Sequence, residues 1–204
     1  MQSVCRLSAL STIQSKAPPQ QPCDQALVVM ISAYNRLAFE LLFARHNVRV
    51  FHYAARLTGD AALAEDIVVE VFSAVWQGAH KFKSASQVST WLLSIAHHKA
   101  VSKICRRAKT QIGNDKISAI ADGANHPEVT VAQKSRSEII RTCLMRLPLA
   151  QREIVDLVYY QEKSIRDVAQ IVGIPEGTVK SRMFNARGQL AELLQAAGIS
   201  DPQP

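Results

Sequence analysis

Polar and basic side chains recur along a predicted helix near the C-terminus, and their chemistry suits recognition of DNA. Thr178, Arg182 and Asn185 share one side of that helix, and Lys180 and Arg187 flank them. Short polar side chains and arginine read base edges in the major groove, while flanking cations hold phosphates. An ordinary solvated basic face is the alternative. The residues predicted to contact duplex DNA are Thr178, Lys180, Ser181, Arg182, Asn185 and Arg187.

The segment that precedes this helix carries the signals of a helix-turn-helix. Gly173 stands where the turn needs a left-handed residue, and Pro175 opens the second helix, where a missing backbone donor costs little. Ala169 is small enough for two helices to cross closely. In this motif the second helix lies in the major groove. The sequence therefore predicts DNA contact at the C-terminal end of the chain.

A second group of cations lies in the first half of the chain, and aromatic residues are interleaved with it. No acidic residue occurs between positions 79 and 114, whereas Lys81, Lys99 and Lys103 fall there, together with Phe82 and Trp91. Cations hold phosphates, and aromatic rings stack on unpaired bases. This mixture favours single-stranded nucleic acid as the ligand, although a charged block on a folded surface often serves only solvation.

The stretch just before this basic block has the opposite charge. Asp60, Glu65, Asp66 and Glu70 lie between residues 60 and 78, where no lysine or arginine occurs. An acidic helix does not bind DNA, so we expect it to dock on a basic protein surface. Solvation is again the plainer alternative.

The spacing of apolar residues places these polar, basic and acidic groups on helices. No stretch alternates convincingly as a strand. Gly59 is expected to end one helix and Asp60 to cap the next. We expect an all-α fold of two helical bundles joined by a flexible linker. The predicted organisation is a disordered leader over 1–23, a first bundle over 24–107, a linker over 108–131, a second bundle over 132–194 and a tail over 195–204.

The totals of the chain favour some functions and disfavour others. Its 204 residues carry a formal net charge of +7, which favours a polyanionic partner. We expect no membrane insertion, no secretory signal and a cytoplasmic location. The four cysteines are scattered, and we expect reduced thiols, no metal and no cofactor. No phosphate-binding glycine loop or nucleophile–base pair is evident, so we do not expect an enzyme.

At these residues the chain resembles the ECF sigma factors, a subfamily of bacterial RNA polymerase sigma factors. The stretches 57–60, 64–72 and 91–96, with the arginine pair at 106–107, resemble conserved region two. The stretches 147–153 and 174–182 resemble region four. The order and spacing match the family over about 24–107 and 132–194.

The resemblance implies a role for each patch. Asp66, Glu70 and Phe72 would bind the clamp of the largest subunit of core RNA polymerase, and the second bundle would rest on the polymerase flap. The C-terminal helix would read the minus-thirty-five promoter element, and an anti-sigma factor is an expected partner. The residues implied in minus-ten recognition and melting are Lys81, Phe82, Lys83, Trp91, His98, Lys99, Lys103, Arg106 and Arg107.

The chain departs from the family pattern at several positions that bear on promoter choice. The departures are Val69, His97, His98, Ser102, Asn185 and Gly188. They leave the implied architecture intact and the promoter sequence open. The alternative hypothesis is a helix-turn-helix regulator without sigma activity, which explains the C-terminal motif equally well. It does not explain the acidic stretch beside the basic and aromatic stretch.

Overall fold

The structure is a computed structural model that describes residues 22–82, 86–115 and 136–199. Most of the predicted leader, the last five residues of the predicted tail, Lys83 and residues 116–131 of the predicted linker lie outside the described residues. Every regular element in the described ranges is helical, which confirms the predicted all-α class.

The periodic pattern that begins at Asp24 forms two helices, α1 (Asp24–Ser32) and α2 (Arg36–Thr58). Tyr34 separates them with a φ of 59°, in the left-handed region. The Asn35 side chain then caps α2, because its Oδ1 accepts a hydrogen bond from the backbone N–H of Ala38 at 3.0 Å. Asp24 lies in the first turn of α1, after Cys23 at the N-cap position.

The predicted boundary after α2 is confirmed at the level of the backbone. Gly59 ends α2 with a φ of 73°, a conformation that glycine adopts without strain. Asp60 then caps α3 (Ala61–Gly78), since its carboxylate accepts a hydrogen bond from the Leu63 N–H at 3.1 Å. A short 3₁₀ turn, Ala79–Lys81, follows.

Helix α4 is longer than the sequence predicts. It runs from Val88 to Asp115 and so contains the first eight residues of the predicted linker, which begins at position 108. The helix passes through Gly113, because one glycine costs a helix only about 1 kcal/mol relative to alanine and does not by itself end it. The first part of the predicted linker is therefore helical.

The second bundle contains four helices and one π-helical turn. They are α5 (Arg136–Arg146), α6 (Leu149–Val155), the π turn (Asp156–Tyr160), α7 (Ile165–Val172) and α8 (Glu176–Ala196). Gly173 joins α7 to α8 with a φ of 75°, as the helix-turn-helix pattern predicts. The π turn continues directly from α6, so residues 149–160 are helical without interruption.

Apolar side chains of both bundles form one continuous core. In the first bundle the fully buried set includes Leu27, Ile31, Leu42, Tyr53, Leu57, Ile67 and Leu92. In the second it includes Ile154, Leu157, Val168, Ile171 and Val179. The two sets belong to a single cluster, because α4 packs on α7 and α2 packs on α6 and the π turn. The bundles are therefore in contact in this structure.

Candidate nucleic-acid interface

The second helix of the helix-turn-helix, α8, presents the polar face that the sequence predicts. Val179, Met183 and Ala186 are buried against the rest of the bundle. The predicted DNA-contacting residues divide by exposure: Lys180, Ser181, Asn185 and Arg187 are exposed, whereas Thr178 and Arg182 are half-buried at the edge of the buried stripe. A polar, mostly solvated surface is thus available on α8.

Several of these side chains already have intramolecular partners. Ser181 Oγ donates to the carbonyl of Gly177 at 3.1 Å, and the Arg182 guanidinium lies 3.9 Å from a carboxylate oxygen of Glu153. Arg187 donates to the Tyr159 hydroxyl at 2.9 Å. Arg187 therefore reaches back toward the π turn, and DNA contact would require it to exchange that partner.

Phe184 is a candidate that the sequence analysis missed. Its side chain is 78% exposed, the largest value among the exposed large hydrophobic residues of the described chain. At 100° per residue, Ser181, Phe184 and the two glycines 177 and 188 share the side of α8 opposite its buried stripe. A Cβ built at either glycine meets nothing within 4 Å, so this side is open. A helical projection of the printed sequence would have shown the position.

The aromatic pair expected in the first bundle forms in the structure. The rings of Phe82 and Trp91 lie 5.0 Å apart, between their centroids, and both side chains are half-buried. Lys81, which precedes Phe82 in the chain, is exposed. His98 on α4 is exposed as well. Trp76, by contrast, packs edge-to-face on Phe39 at 5.3 Å. Trp76, Phe82 and Trp91 are all half-buried and packed against the core, so each leaves part of its ring exposed.

The acidic α3 and the basic α4 do not present separate charged faces, because their charged side chains pair with each other. Lys103 Nζ lies 2.9 Å from Glu70 and 3.3 Å from Asp66, and Lys99 Nζ lies 3.3 Å from Glu70. Arg107 lies 2.9 Å from Asp60, the cap of α3. We call these four contacts the α3–α4 ion-pair network.

This network changes the proton affinity of its members. The hydrogen bond from Lys103 lowers the pKa of Glu70, and the same hydrogen bond raises the pKa of Lys103. The hydrogen bond from Arg107 likewise lowers the pKa of Asp60. Each shift favours the charged form, so the network holds both charges at neutral pH.

The outward side of α3 keeps a smaller acidic surface of its own. Glu65 is exposed, the Asp66 side chain is 69% exposed, and Val69 lies one turn further along with 69% exposure. Val69 is one of the positions at which the chain departs from the family pattern. Its exposure places an apolar contact beside two carboxylates, a combination that suits a protein surface.

Phe72 does not have the exposed position that the predicted contact with core RNA polymerase requires. Its side chain is only 2% exposed, and its ring packs edge-to-face on Phe43 at 4.7 Å and on Phe39 at 6.2 Å. A residue in this position cannot present its ring to a partner. The sequence placed Phe72 with Asp66 and Glu70, but the helical repeat turns it inward to the core.

Comparison with known proteins places these surfaces in a family. Residues 42–110 match Sigma-70 region 2, and residues 137–190 match Sigma-70 region 4. The ECF RNA polymerase sigma factor SigM of Mycobacterium tuberculosis is 36% identical over 174 residues, which cover 84% of each chain. SigL from the same species is 31% identical over 161 residues, 78% of this chain and 90% of the relative.

Solved structures agree with these matches. The sigma factor RpoE from Bartonella quintana, solved in complex with the anti-sigma factor NepR, is 26% identical and superposes with a TM-score of 0.63 over 77% of this chain and 96% of that chain. CnrH, solved with the cytosolic domain of CnrY, shares the fold with a TM-score of 0.62 over 85% of this chain and 97% of that chain, at 22% identity.

Two sigma regions on one helical chain define a transcription initiation factor. With the similarity to SigM and SigL, they show that the chain belongs to the ECF RNA polymerase sigma factors. Its function is that of a sigma factor, which binds core RNA polymerase and directs it to promoter DNA. These matches decide against the alternative of a regulator without sigma activity. None of the described helices is long and apolar enough to cross a membrane.

Proposed function

We propose a division of labour among three surfaces of this sigma factor. The outward side of α3 docks on core polymerase, the Phe82–Trp91 pair with the cations of α4 holds the opened minus-ten strand, and α8 reads the minus-thirty-five duplex. The observation that carries the proposal is chemical. The first bundle carries an aromatic pair on a stretch rich in cations. The second bundle carries a polar face on α8, the second helix of the helix-turn-helix.

The first bundle suits single-stranded DNA because the half-buried Phe82 and Trp91 leave part of each ring exposed. Stacking of one base on an aromatic side chain is worth roughly 1–3 kcal/mol, which offsets part of the cost of unpairing that base. Lys81, Lys99, Lys103, Arg106 and Arg107 supply cations near this pair or along α4. Lys99, Lys103 and Arg107 exchange a carboxylate partner for a phosphate when the strand binds.

Polymerase docking rests on the carboxylates of α3 and on Val69. Asp66 is the most exposed carboxylate of the α3–α4 ion-pair network, so it is the first to meet a basic partner. Phe72 supports this surface from beneath by fixing α3 on α2. We therefore assign Phe72 a positioning role in core binding.

Several features of the proposal extend from relatives to this chain. RpoE from Bartonella quintana was solved with an anti-sigma factor, and we propose a partner of this class here. The chain acts by binding alone, without catalytic chemistry of its own, in the cytoplasm where polymerase and promoter meet. Residues 108–131 connect the two DNA-binding bundles.

Reconstitution with core polymerase and a run-off transcription assay test the division of labour. We expect Asp66→Lys to weaken core binding without changing the affinity of the chain for a minus-thirty-five duplex. Asn185→Ala should do the reverse, and Trp91→Ala should reduce promoter opening, followed with a fluorescent base at minus ten. Arg36→Ala is a matched control, because its side chain is 85% exposed on the far end of α2. Equal effects of all three variants on DNA binding alone would refute the proposal.

A further inference from the structure

A cavity of about 480 Å³ lies between helices α2 and α5. Its walls come from the C-terminal half of α2 on one side and from α5 on the other, with further contributions from α6 and the π turn. We call it the α2–α5 cavity. Its volume falls within the range of about 300–1,000 Å³ that is usual for small-molecule sites, whereas voids larger than a water molecule are few in protein interiors. The cavity is therefore large enough to hold a ligand.

The wall of the α2–α5 cavity is mostly apolar. Phe51 and Ala55 contribute to it from α2, and Ile140 and Leu144 contribute from α5. Tyr160 adds an exposed aromatic ring from the π turn. Apolar and aromatic walls with a few polar groups are typical of sites for small organic molecules. The wall therefore favours a ligand with an apolar body.

The polar groups of the α2–α5 cavity carry an excess of positive charge. Arg56, Arg141 and Arg152 line it, and among the described residues Asp156 is the only acidic one that does so. Asp156 already forms an ion pair with Arg56. Arg141 and Arg152 are thus left without an acidic partner in the described part of the chain. Guanidinium groups in this state attract an anion.

Arg152 has the strongest need of an anionic partner. Its guanidinium donates to the carbonyls of Leu57 at 2.8 Å and Met145 at 3.3 Å, and its Nε is buried with no hydrogen-bond partner among the described residues. Burial lowers the pKa of Arg152, because the surroundings disfavour the charged form. Carbonyl dipoles compensate a buried charge less completely than a counter-ion does. An anionic group in the cavity would supply the missing counter-charge.

We propose that the α2–α5 cavity binds a small amphipathic organic anion, with its apolar body against α2 and α5 and its anionic group held by Arg141 and Arg152. An anionic group with two or three oxygens can accept hydrogen bonds from both guanidinium groups at once. This site goes beyond the proposed function, because none of the described residues assigned there to polymerase or DNA lines the cavity.

Two fluorescent probes separate the contribution of the charge from that of the apolar body. Anilinonaphthalene sulfonate carries an anionic group, and phenylnaphthylamine is the same ring system without it. On the full chain we expect Arg141→Gln and Arg152→Gln each to weaken binding of the sulfonate about tenfold and to leave binding of the neutral probe nearly unchanged. Arg146→Gln is the matched control, because Arg146 is exposed on the same helix as Arg141 and does not line the cavity. It should bind both probes like the wild type.

Methionine methyl NMR locates the bound probe. Met145 lines the cavity, whereas Met30 lies on α1 and Met183 on α8. We expect the ring current of the bound sulfonate probe to shift the Met145 Cε methyl signal and to leave the other two in place. Ala61 lines the cavity from an exposed position, so Ala61→Trp should fill the space without disturbing the core. That variant should lose binding of both probes and the shift at Met145.

Two results would overturn the proposal. Equal loss of both probes in Arg141→Gln and Arg152→Gln would show that the arginines only shape the cavity and do not hold an anion. A Met145 methyl signal that stays unshifted at saturating sulfonate probe would show that the protein itself fills the space and that no ligand site exists there. Neither result bears on the division of labour, which is measured by polymerase and promoter binding.

Discussion

Two sets of ion pairs in this chain use the same side-chain types in opposite environments. In the α3–α4 ion-pair network, Lys103 bridges Glu70 and Asp66, whose side chains are 41% and 69% exposed. Where the two bundles meet, a contact that we call the interdomain interface, Asp156 of the π turn pairs with Arg56 of α2 while only 3% of the aspartate is exposed. The two sets use the same kinds of charged side chain and differ in how deeply those side chains are buried.

The difference shows what each set can do. An exposed pair is worth roughly 0.2–1 kcal/mol, so water or a phosphate replaces either partner at little cost. A buried pair loses roughly 3–5 kcal/mol when one partner is removed, because the other is left buried and uncompensated. The α3–α4 ion-pair network therefore suits a surface that exchanges partners, whereas the Arg56–Asp156 pair resists the loss of either partner.

The largest expected effect breaks the buried set. Asp156→Ala should lower the free energy of unfolding by about 2–3 kcal/mol, less than for a fully buried pair because the Arg56 side chain is 29% exposed and regains some water. Urea denaturation followed by circular dichroism measures the loss.

A double replacement separates burial from pairing in the same experiment. Arg56→Met with Asp156→Leu removes both charges and keeps similar volume, so we expect stability near the wild-type value or above it. A double variant as unstable as Asp156→Ala would contradict the view that the unpaired charge is the cost.

Replacement of Phe184 tests whether the exposed side of α8 contacts DNA through charge alone. Replacing a contacted thymine with uracil in the minus-thirty-five duplex deletes one methyl group, and burial of such a group is worth about 0.8 kcal/mol, or about fourfold in affinity. We expect the wild type to lose about fourfold at one thymine and Phe184→Ala to be insensitive there, by fluorescence anisotropy. Tyr34→Ala, an exposed aromatic on the other bundle, is the control and should keep the wild-type sensitivity.

A smaller effect is expected within the exposed set. A double-mutant cycle of Glu70→Gln and Lys103→Met should give a coupling of about 0.5 kcal/mol in the free energy of unfolding, and salt should weaken it. A coupling above about 2 kcal/mol in 0.15 M salt would show that the pair acts as a buried one, and the comparison between the two sets would fail.

The sequence predicts well the features that depend on neighbouring residues. The turn at Gly59, the cap at Asp60 and the left-handed Gly173 are local backbone signals, and each occurs as expected. Helical spacing likewise predicts the buried stripe of α8. The extension of α4 past residue 107 was missed because a glycine weakens a helix without ending it.

Local signals of this kind do not predict contacts between residues that are far apart in the sequence. Arg56 and Asp156 are 100 positions apart, and nothing in the local pattern of either residue indicates the other. The same holds for Lys103 with Asp66, which the sequence assigned to two separate faces. Phe72 and Phe184 differ, because a stricter helical projection would have turned the first inward and the second outward.

Acid should move the two sets in opposite directions, which is the sharpest form of the comparison. The hydrogen bond from Lys103 lowers the pKa of Glu70 below its ordinary value of 4.5. The stability that Glu70 contributes is therefore complete above pH 4.5 and is lost as the pH falls through the lowered pKa. Burial raises the pKa of Asp156 above 3.8, so the folded chain keeps a proton that the unfolded chain releases. The stability that this protonated Asp156 contributes is therefore complete below pH 3.8 and is lost as the pH rises through the raised pKa.

Carbon-13 NMR of the side-chain carboxyl groups measures both titrations in one sample. We expect Glu70 to titrate below its ordinary pKa and Asp156 above its own, with Lys103→Met moving the first upward and leaving the second unchanged. Truncation of Arg56 to alanine should raise the pKa of Asp156 further if the bundles stay packed, and should return it toward 3.8 if they separate, because an exposed carboxyl has no burial penalty. An Asp156 that titrates below 3.8 in the wild-type chain would show that pairing outweighs burial at the interdomain interface, and the two sets would then differ in exposure but not in the sign of their response to acid.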